Sequence, residues 1–520
     1  MTSDGLQWDT GNGSLDVQTN RIPRNRSPLM MHPTPIRTLL TSTLEPLILQ
    51  LSSSLARGVR LIDAFLHHAP TPTTMMAFER ELHTLLREVG RRIMAWLLNQ
   101  LEPQLDQDAP AVVTYDQRLY RRRRQYPRSV ATLFGTTQLR RRLYEPLKRP
   151  GRSIHPLEMA LGLEAGLATP AMAEQIGRLS VDHTQHRVLE MLQADYGVHW
   201  SFTSLRKVLK SLKTGMASYR HDTQVERLLS WLEQARASHG RFRPTLSVGR
   251  DGIFVPLLHG VWQEGATATV SVLDRSGKRV GTVYLGQMPE PGQGTLTQQL
   301  SDLLHDLLTR VDSQSLRLVY VSDEGYHPSE YYHQVLKAMR DPRCPWRQLE
   351  WIRIVDFYHA GQYVQQLADA IFGVGDEAQG WSKHMRHQLK HQADGVSRVL
   401  KSASALRRHR GLVGQAKSYL QAYGYLKKRS QWMGYALYRR QKLPIGSGIT
   451  EAACKVVFAQ RLKRSGMSWT IEGGQTILDL RVIWLSGIWD EAHRRYLASK
   501  PLSVFNDDGR KGAQHGRLAA

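Results

Sequence analysis

Three acids, Asp251, Asp323 and Glu451, fall at the edges of expected strands or helices in a chain of 520 residues. Asp251 lies in TLSVGRDGIFVPLL, Asp323 ends the strand-like run LRLVYVSDEG, and Glu451 follows the turn Gly446-Ser447-Gly448 in the first turn of a last helix. Open α/β sheets collect reactive groups at the carboxyl ends of their strands. Hard oxygen ligands of this kind hold Mg2+ or Mn2+ and leave positions open for water and phosphate. Two such ions about 4 Å apart can activate an attacking oxygen and stabilise a leaving one at phosphorus. Asp356 and His359 add an Asp-x-x-His pair just after the last expected strand. Each acid alone also has an ordinary explanation. Asp251-Gly252 resembles a hairpin turn, Asp323 could cap the next helix, and Glu451 suits a helix dipole. A lone His beside Tyr358 is commonly half-buried and inert. The order of the set lifts it above these readings, because all three acids fall where one topology needs them.

That topology is legible in the apolar periods. From Thr245 the pattern becomes strand-like, and the order through residue 360 is three strands, helix, strand, helix, strand, which is the order of a ribonuclease H-like α/β core. Residues 241–360 are its first part, 361–440 a helical insertion ending in YLQAYGYLKKRSQWMGYALYRR, 441–500 its last part and 501–520 a tail. If the first strand is central, neighbouring strands bring Asp251 and Asp323 together, and a helix packed on the sheet delivers Glu451. Mainly helical regions come before the core. Residues 1–34 lack apolar periodicity and are expected to be a disordered leader. Residues 35–115 are helical, with Phe78, Leu82, Leu85, Leu86, Val89, Ile93 and Leu97 striping a helix entered through Pro70 and Pro72. The stripe is expected to be core, or, given its length, a surface for a second copy.

Charge points to the partner. A net charge of +24 and a pI near 10.1 favour a polyanion, nucleic acid ahead of an anionic membrane. Residues 116–155 are expected to form a basic hairpin turning near Gly135. Between Arg118 and Arg152 there are 12 Lys or Arg against one acid, Glu145. Arg121, Arg122, Arg123, Arg124, Arg140, Arg141 and Arg142 lie among Tyr120, Tyr126 and Tyr144, a mixture suited to phosphates and stacked rings. Residues 156–240 are helical, and the segments around Tyr196-Gly197-Val198 have helix-turn-helix proportions, with Ser201 or Thr203 as cap. Arg206, Lys207 and Lys210, beside Ser204, would then face a groove, although such helix pairs also occur in plain bundles. Arg461, Lys463 and Arg464 extend the basic set near the C-terminus. His384, His387 and His391 share a helical face with Lys383, Arg386 and Lys390, with no carboxylate to complete a zinc site; they are phosphate-facing or solvated. The only cysteines, Cys344 and Cys454, offer neither a disulfide framework nor a zinc ribbon, which fits a reducing cytoplasm. No apolar run reaches about 18 residues, and the N-terminus has no basic start followed by an apolar run; export and membrane insertion are not expected.

The residues then become recognisable. Pro444-Ile445-Gly446-Ser447-Gly448, Glu451-Ala452-Ala453-Cys454-Lys455, Gln460 through Met467, and Trp469 resemble the C-terminal signature of bacterial insertion-sequence transposases of the ISKra group. The resemblance runs from about residue 116 to 490. Asp251-Gly252, Ser322-Asp323 and Asp356-Phe357-Tyr358-His359 match in order, and Pro156-Leu157-Glu158 through Thr169-Pro170 is similar to the family's N-terminal half. It implies a Mutator-related transposase of the DDE class, with a ribonuclease H-like domain interrupted by a helical insertion. By that resemblance Asp251, Asp323 and Glu451 form the catalytic, Mg2+- or Mn2+-binding triad and His359 is an auxiliary site residue. The implied partner is double-stranded DNA, at element ends and target, bound by a homo-oligomer in the bacterial cytoplasm, associated with the nucleoid. Many relatives carry Cys pairs near the basic hairpin. This chain has none there, which leaves the arginines to make that contact. Two other readings share these residues: a DNA-binding protein without catalysis, descended from a transposase, and a stand-alone nuclease of the same fold.

Overall fold

The computed structural model describes residues 36–102, 109–147, 151–410, 416–500 and 505–506. The leader expected over 1–34 and most of the tail lie outside the described residues. The chain opens with a helical hairpin, α1 (Ile36–Leu66) and α2 (Pro72–Gln100). Thr71 caps α2 in a reciprocal capping box with Thr74, and Pro72 occupies the first helical position, where a missing N–H costs nothing. The stripe on α2 is only partly core: Leu85 is buried, but Leu86 is 59% and Leu97 44% exposed, and on α1 Leu55 and Val59 are about two-thirds exposed.

A small antiparallel sheet follows, made of β1 (Val112–Tyr115), β2 (Arg118–Thr132) and β3 (Gly135–Pro146). It begins inside the stretch expected to be helical. β2 and β3 turn at Leu133-Phe134, and Gly135 takes a φ of 113° that favours glycine. The register shifts between Arg122 and Gln125, so Arg123 and Arg124 together face Leu143 in a bulge.

The helices α3 (Pro156–Ala160), α4 (Pro170–Asp182), α5 (Gln185–Tyr196) and α6 (Phe202–Ala237) come next. Gly197, in the left-handed conformation, ends α5, and the Ser201 hydroxyl caps α6. The helix-turn-helix expectation needs correction in one respect. α6 has 36 residues and buries Leu205, Leu209, Leu212, Met216, Leu228 and Leu232, so it is a spine of the core rather than a short recognition helix. Arg206, Lys207 and Lys210 occupy its exposed side.

The main sheet uses β4 (Thr245–Pro256), β5 (Trp262–Leu273) and β6 (Arg279–Gln287), then α7 (Gly294–Arg310), β7 (Arg317–Ser322), α8 (Tyr326–Gln334), the small hairpin β8 (Arg340–Asp341) and β9 (Cys344–Gln348), and β10 (Trp351–Val355). Its order is β10-β7-β4-β5-β6. β4, β5 and β6 form an antiparallel meander, while β7 runs parallel to β4 and β10 parallel to β7. The β8–β9 hairpin was not expected. On one side of the sheet Val248, Val270, Leu300, Leu304 and Leu308 join α6 and α7 to the strands. The helical segment α9 (Phe357–Phe372), α10 (Asp376–His391), α11 (Gly395–Arg410), α12 (Ala416–Arg429) and α13 (Tyr435–Arg440) shares a second apolar cluster with β7 and β10 through Val319, Val321, Ile354, Val364 and Leu426. The chain returns through α14 (Gly448–Ala453), a π-helical turn at Cys454–Ala459, α15 (Gln460–Leu462), α16 (Ile471–Leu485) and α17 (Trp489–Ala498). A short strand, β11 (Phe505–Asn506), pairs with β1, so the tail contributes to the small sheet. Among the described residues no helix is long and apolar enough to cross a membrane.

Candidate active site

Asp251 is in the ladder of β4, opposite Thr267 of β5, and the ladder continues to Pro256 opposite Trp262. Asp251-Gly252 is therefore strand and not a hairpin turn. On its other edge β4 pairs with β7 only as far as Gly249. The two strands separate at the point where Asp251 follows on one and Asp323 on the other. The gap is a cleft of about 180 Å³ lined by Asp251, Asp323, Arg250, Glu264, Gln293, Tyr326 and His327. Glu264, across the ladder on β5, was not anticipated; in sequence it is an isolated acid with no motif around it.

The two aspartates have few partners. Asp251 accepts the Gly252 N–H at 2.8 Å and the Cys454 thiol at 3.3 Å. Asp323 accepts the Gly325 N–H at 2.9 Å. Burial pushes the Asp251 carboxyl up to about 6, with the charges of Asp323 and Glu451 adding to it and the Cys454 and Gly252 donors opposing it. Burial and the Asp251 charge also raise the Cys454 thiol, which stays a neutral donor.

Glu451 reaches this neighbourhood because α14 lies close on the sheet. A Cβ on Gly249 would sit 2.1 Å from Thr450 Oγ1, so glycine is what permits the approach. Thr450 then meets Thr269 of β5 at 2.9 Å, fixing the helix across β4 and β5. The next turn is π-helical, a widening that turns Cys454 toward Asp251. Glu451 itself is exposed and accepts the Ser447 hydroxyl at 2.9 Å.

Asp356, the alternative to Asp323 as second acid of the set, has a structural role at the sheet edge. It is fully buried, and its Oδ1 caps α9 by accepting the N–H groups of Tyr358 and His359 at 2.5 and 2.9 Å. Its Oδ2 accepts the Ser447 N–H at 2.6 Å and adjoins the Ser447 hydroxyl. With its lone pairs committed, Asp356 ties the end of β10 to the turn that presents Glu451. His359 is half-buried, its ring against Tyr363 and Tyr425 at 5.3 and 5.8 Å. The Tyr425 hydroxyl donates to the Asp323 carbonyl at 2.9 Å.

A further support lies next to Asp323. Glu324 has a φ of 65°, unusual for a side chain of its size. Its buried carboxylate is gripped by Arg353, whose guanidinium lies over the rings of Tyr332 and Trp432 at 4.4 and 3.9 Å. Arg429 approaches the same carboxylate at 3.7 Å and donates to the Glu324 carbonyl at 3.5 Å. Sequence reasoning missed this clamp. Its one signal was an acid directly after Asp323.

The basic residues divide. Arg121, Arg123, Arg124 and Arg140 are exposed on the hairpin, with Arg123 paired to Glu145 and Arg124 5.0 Å from the Tyr126 ring. Arg122 is partly covered, its guanidinium donating to the Ala109 carbonyl. Arg141 and Arg142 are not surface cations: Arg141 pairs with Glu158, and Arg142 is 2% exposed beside Glu102. Arg461 is also corrected. It is completely buried, donating to the Ser180 carbonyl at 3.0 Å beside Trp469, and burial lowers its pKa to about 10. Lys463 is half-buried over Trp262, and Arg464 is exposed. Lys210 is paired with Glu472 at 2.5 Å.

Hard carboxylate oxygens that are short of partners suit a divalent ion. Asp251 and Asp323 meet that description in one cleft, and the Glu451 charge is felt at Asp251. Among the described residues, no three His, Cys, Asp or Glu side chains converge as a ready metal site.

No protein-family model matches the chain. Over 460 residues, 84% of this chain and 88% of the other, the sequence is 23% identical to a protein of Streptococcus gallolyticus described as "UPF0236 protein in vanSb 3'region". The chain is thus similar to that protein along most of its own length and not through one shared segment.

Proposed function

We propose that the protein is a DDE transposase of an ISKra-type insertion sequence that binds terminal inverted repeats and catalyses metal-dependent DNA strand cleavage and strand transfer. The observation that carries this reading is the cleft where β4 and β7 part, which holds Asp251 and Asp323 with few partners and has Glu451 fixed beside it by α14. The sheet order, with one antiparallel second strand, supports a ribonuclease H-like core interrupted by a helical insertion. The exposed hairpin arginines support a DNA partner, and the uncovered α1–α2 surface supports assembly as a homo-oligomer on it.

Asp251, Asp323 and Glu451 would hold Mg2+ or Mn2+, which supplies charge stabilisation to the oxygens exchanged at phosphorus. The chain's own residues prepare this. Asp251 sheds its proton near pH 6, Ser447 orients Glu451, and Tyr425 and Arg429 fix the backbone on either side of the Asp323–Glu324 link. His359, anchored through its own N–H to Asp356, stands on the same first turn of α9 as an auxiliary group.

The test is an assay on DNA carrying the inverted repeats that flank the gene, comparing Mg2+ with EDTA and wild type with Glu451→Gln. Cleavage at the repeat ends that requires both the ion and Glu451 is expected, followed by a joined product containing target DNA. Cleavage without joining would leave a stand-alone nuclease. A DNA-binding protein without catalysis is favoured by one observation, the lack of three converged ligands among the described residues. Repeat-specific binding with no cleavage would establish it.

A further inference from the structure

A second cleft, of about 340 Å³, opens where the first turn of α9 meets α10. Its lining is cationic and aromatic: Lys383, Arg386 and Lys390 with His387 and His391 from α10, and Phe357 and Tyr358 from α9. It contains no carboxylate, and among the described residues none of its three cations is in an ion pair, in contrast to Arg141, Arg142 and Lys210. Lys383 and Arg386 are exposed, and Lys390 is 5.3 Å from the Phe357 ring. A Cβ on Gly361 would lie 3.1 Å from the Arg386 side chain, so a glycine there lets the arginine stem lie against α9. Tyr358 is 62% exposed, a large ring held at a polar rim.

This cleft adjoins the acids. The Tyr358 ring lies so close to Gly446 that a Cβ there would fall 2.9 Å from it, and the next residue, Ser447, hydrogen-bonds Glu451. We propose that the cleft binds a single nucleic-acid strand, with Lys383 and Arg386 on its phosphates and an unpaired base stacked on Tyr358, leading the strand toward Glu451. Cations without counter-charges fit a phosphate backbone. An exposed ring fits a base whose face is free, as in a single strand and not inside a duplex. Where the strand leads rests on the function proposed above. Binding itself does not, since it needs no metal.

The experiment is fluorescence anisotropy with the full chain in EDTA, using a labelled oligo-dT strand and a blunt duplex of equal length across a salt series. For the single strand, Lys383→Gln combined with Arg386→Gln is expected to lower the slope of log affinity against log salt by about 1.4, two phosphates at about 0.7 each. Tyr358→Ala is expected to weaken the strand by about tenfold and leave the duplex unchanged, while Tyr358→Phe keeps wild-type affinity. All three positions are exposed, and circular dichroism checks the fold. An unchanged slope in the double variant overturns the phosphate contact, and equal losses on strand and duplex in Tyr358→Ala overturn the stacking. Failure of the catalytic reading would appear separately, as absence of Mg2+-dependent cleavage with strand binding intact.

Discussion

The cleft between β4 and β7 and the seam where the helical segment meets the sheet both draw acids away from solvent, half-buried in the cleft and fully buried in the seam, and they treat them in opposite ways. In the cleft Asp251 has one N–H and one thiol, and Asp323 one N–H. In the seam Asp356 takes three backbone N–H groups beside a hydroxyl, and Glu324 takes Arg353, Ser322 and the approach of Arg429. A buried carboxylate supplied with donors is part of the scaffold. Half-buried carboxylates with few protein donors, such as Asp251 and Asp323, are the ones the proposed function assigns to an ion.

Substitutions should therefore separate activity from stability. The largest expected effect is on cleavage: Asp251→Asn or Asp323→Asn should reduce the rate at repeat ends by at least about a thousandfold with melting temperature not lowered, because removing either leaves no scaffold unsatisfied. A cleavage assay beside a thermal melt checks this, and a large loss of stability would erase the distinction. In the seam, Arg353→Met should destabilise the fold by about 3–5 kcal/mol, since it strands the buried Glu324 charge; urea denaturation measures it.

Intermediate effects probe the approach of α14. Gly249→Ala should cost about 1–3 kcal/mol by pushing Thr450 off the strand. It should also weaken cleavage through Glu451, and Gly249→Ala combined with Thr450→Ala, which removes the Oγ1 that the new methyl would meet, should recover part of both.

Asp251 gives the sharpest test through pH. Its carboxyl is raised in the fold from 3.8 to about 6, so the folded state favours the protonated form. Without metal, this group's contribution to stability is complete below about pH 4, declines as pH rises to about 6 and is constant above, a total of about 3 kcal/mol. Asp251→Asn should consequently be more stable than wild type at pH 7 and no more stable at pH 4, by denaturation in EDTA. Metal affinity of the wild type should rise about tenfold per pH unit up to about 6 and then level, measured by calorimetry.

Much of this arrangement was legible in the chain. The strands of the main sheet announce themselves as short β-branched runs, and the acids at their ends follow once the strands are placed. Ser201, Gly135 and the first turn around Glu451 were readable because caps and turns depend on neighbours in sequence. The fate of an arginine was not. Arg140 and Arg142 look alike in RRR and, two apart, would share a face of a regular strand, yet the alternation changes phase between them beside the Arg123–Arg124 bulge, leaving one exposed and the other inward beside Glu102. Arg461 is buried by Ser180, which lies far away in the chain. The extent of α6 was hidden because a helix-turn pattern reports where a helix begins and not what it packs against at the far end. The Glu324–Arg353 clamp joins residues 29 apart with the ring of Trp432, and no local spacing marks such a group.

The contacts of Tyr425 and Arg429 with the Asp323–Glu324 backbone bear on how the molecule comes apart. α12 is separated in sequence from β7, yet it holds the loop that carries a candidate ligand, and the two share one apolar cluster. Loosening of α12 would release Asp323 at the same moment. Amide exchange at Asp323, Glu324 and Gly325 should thus follow that of α12 rather than that of β4, and the helical segment and the sheet edge should open as one cooperative unit.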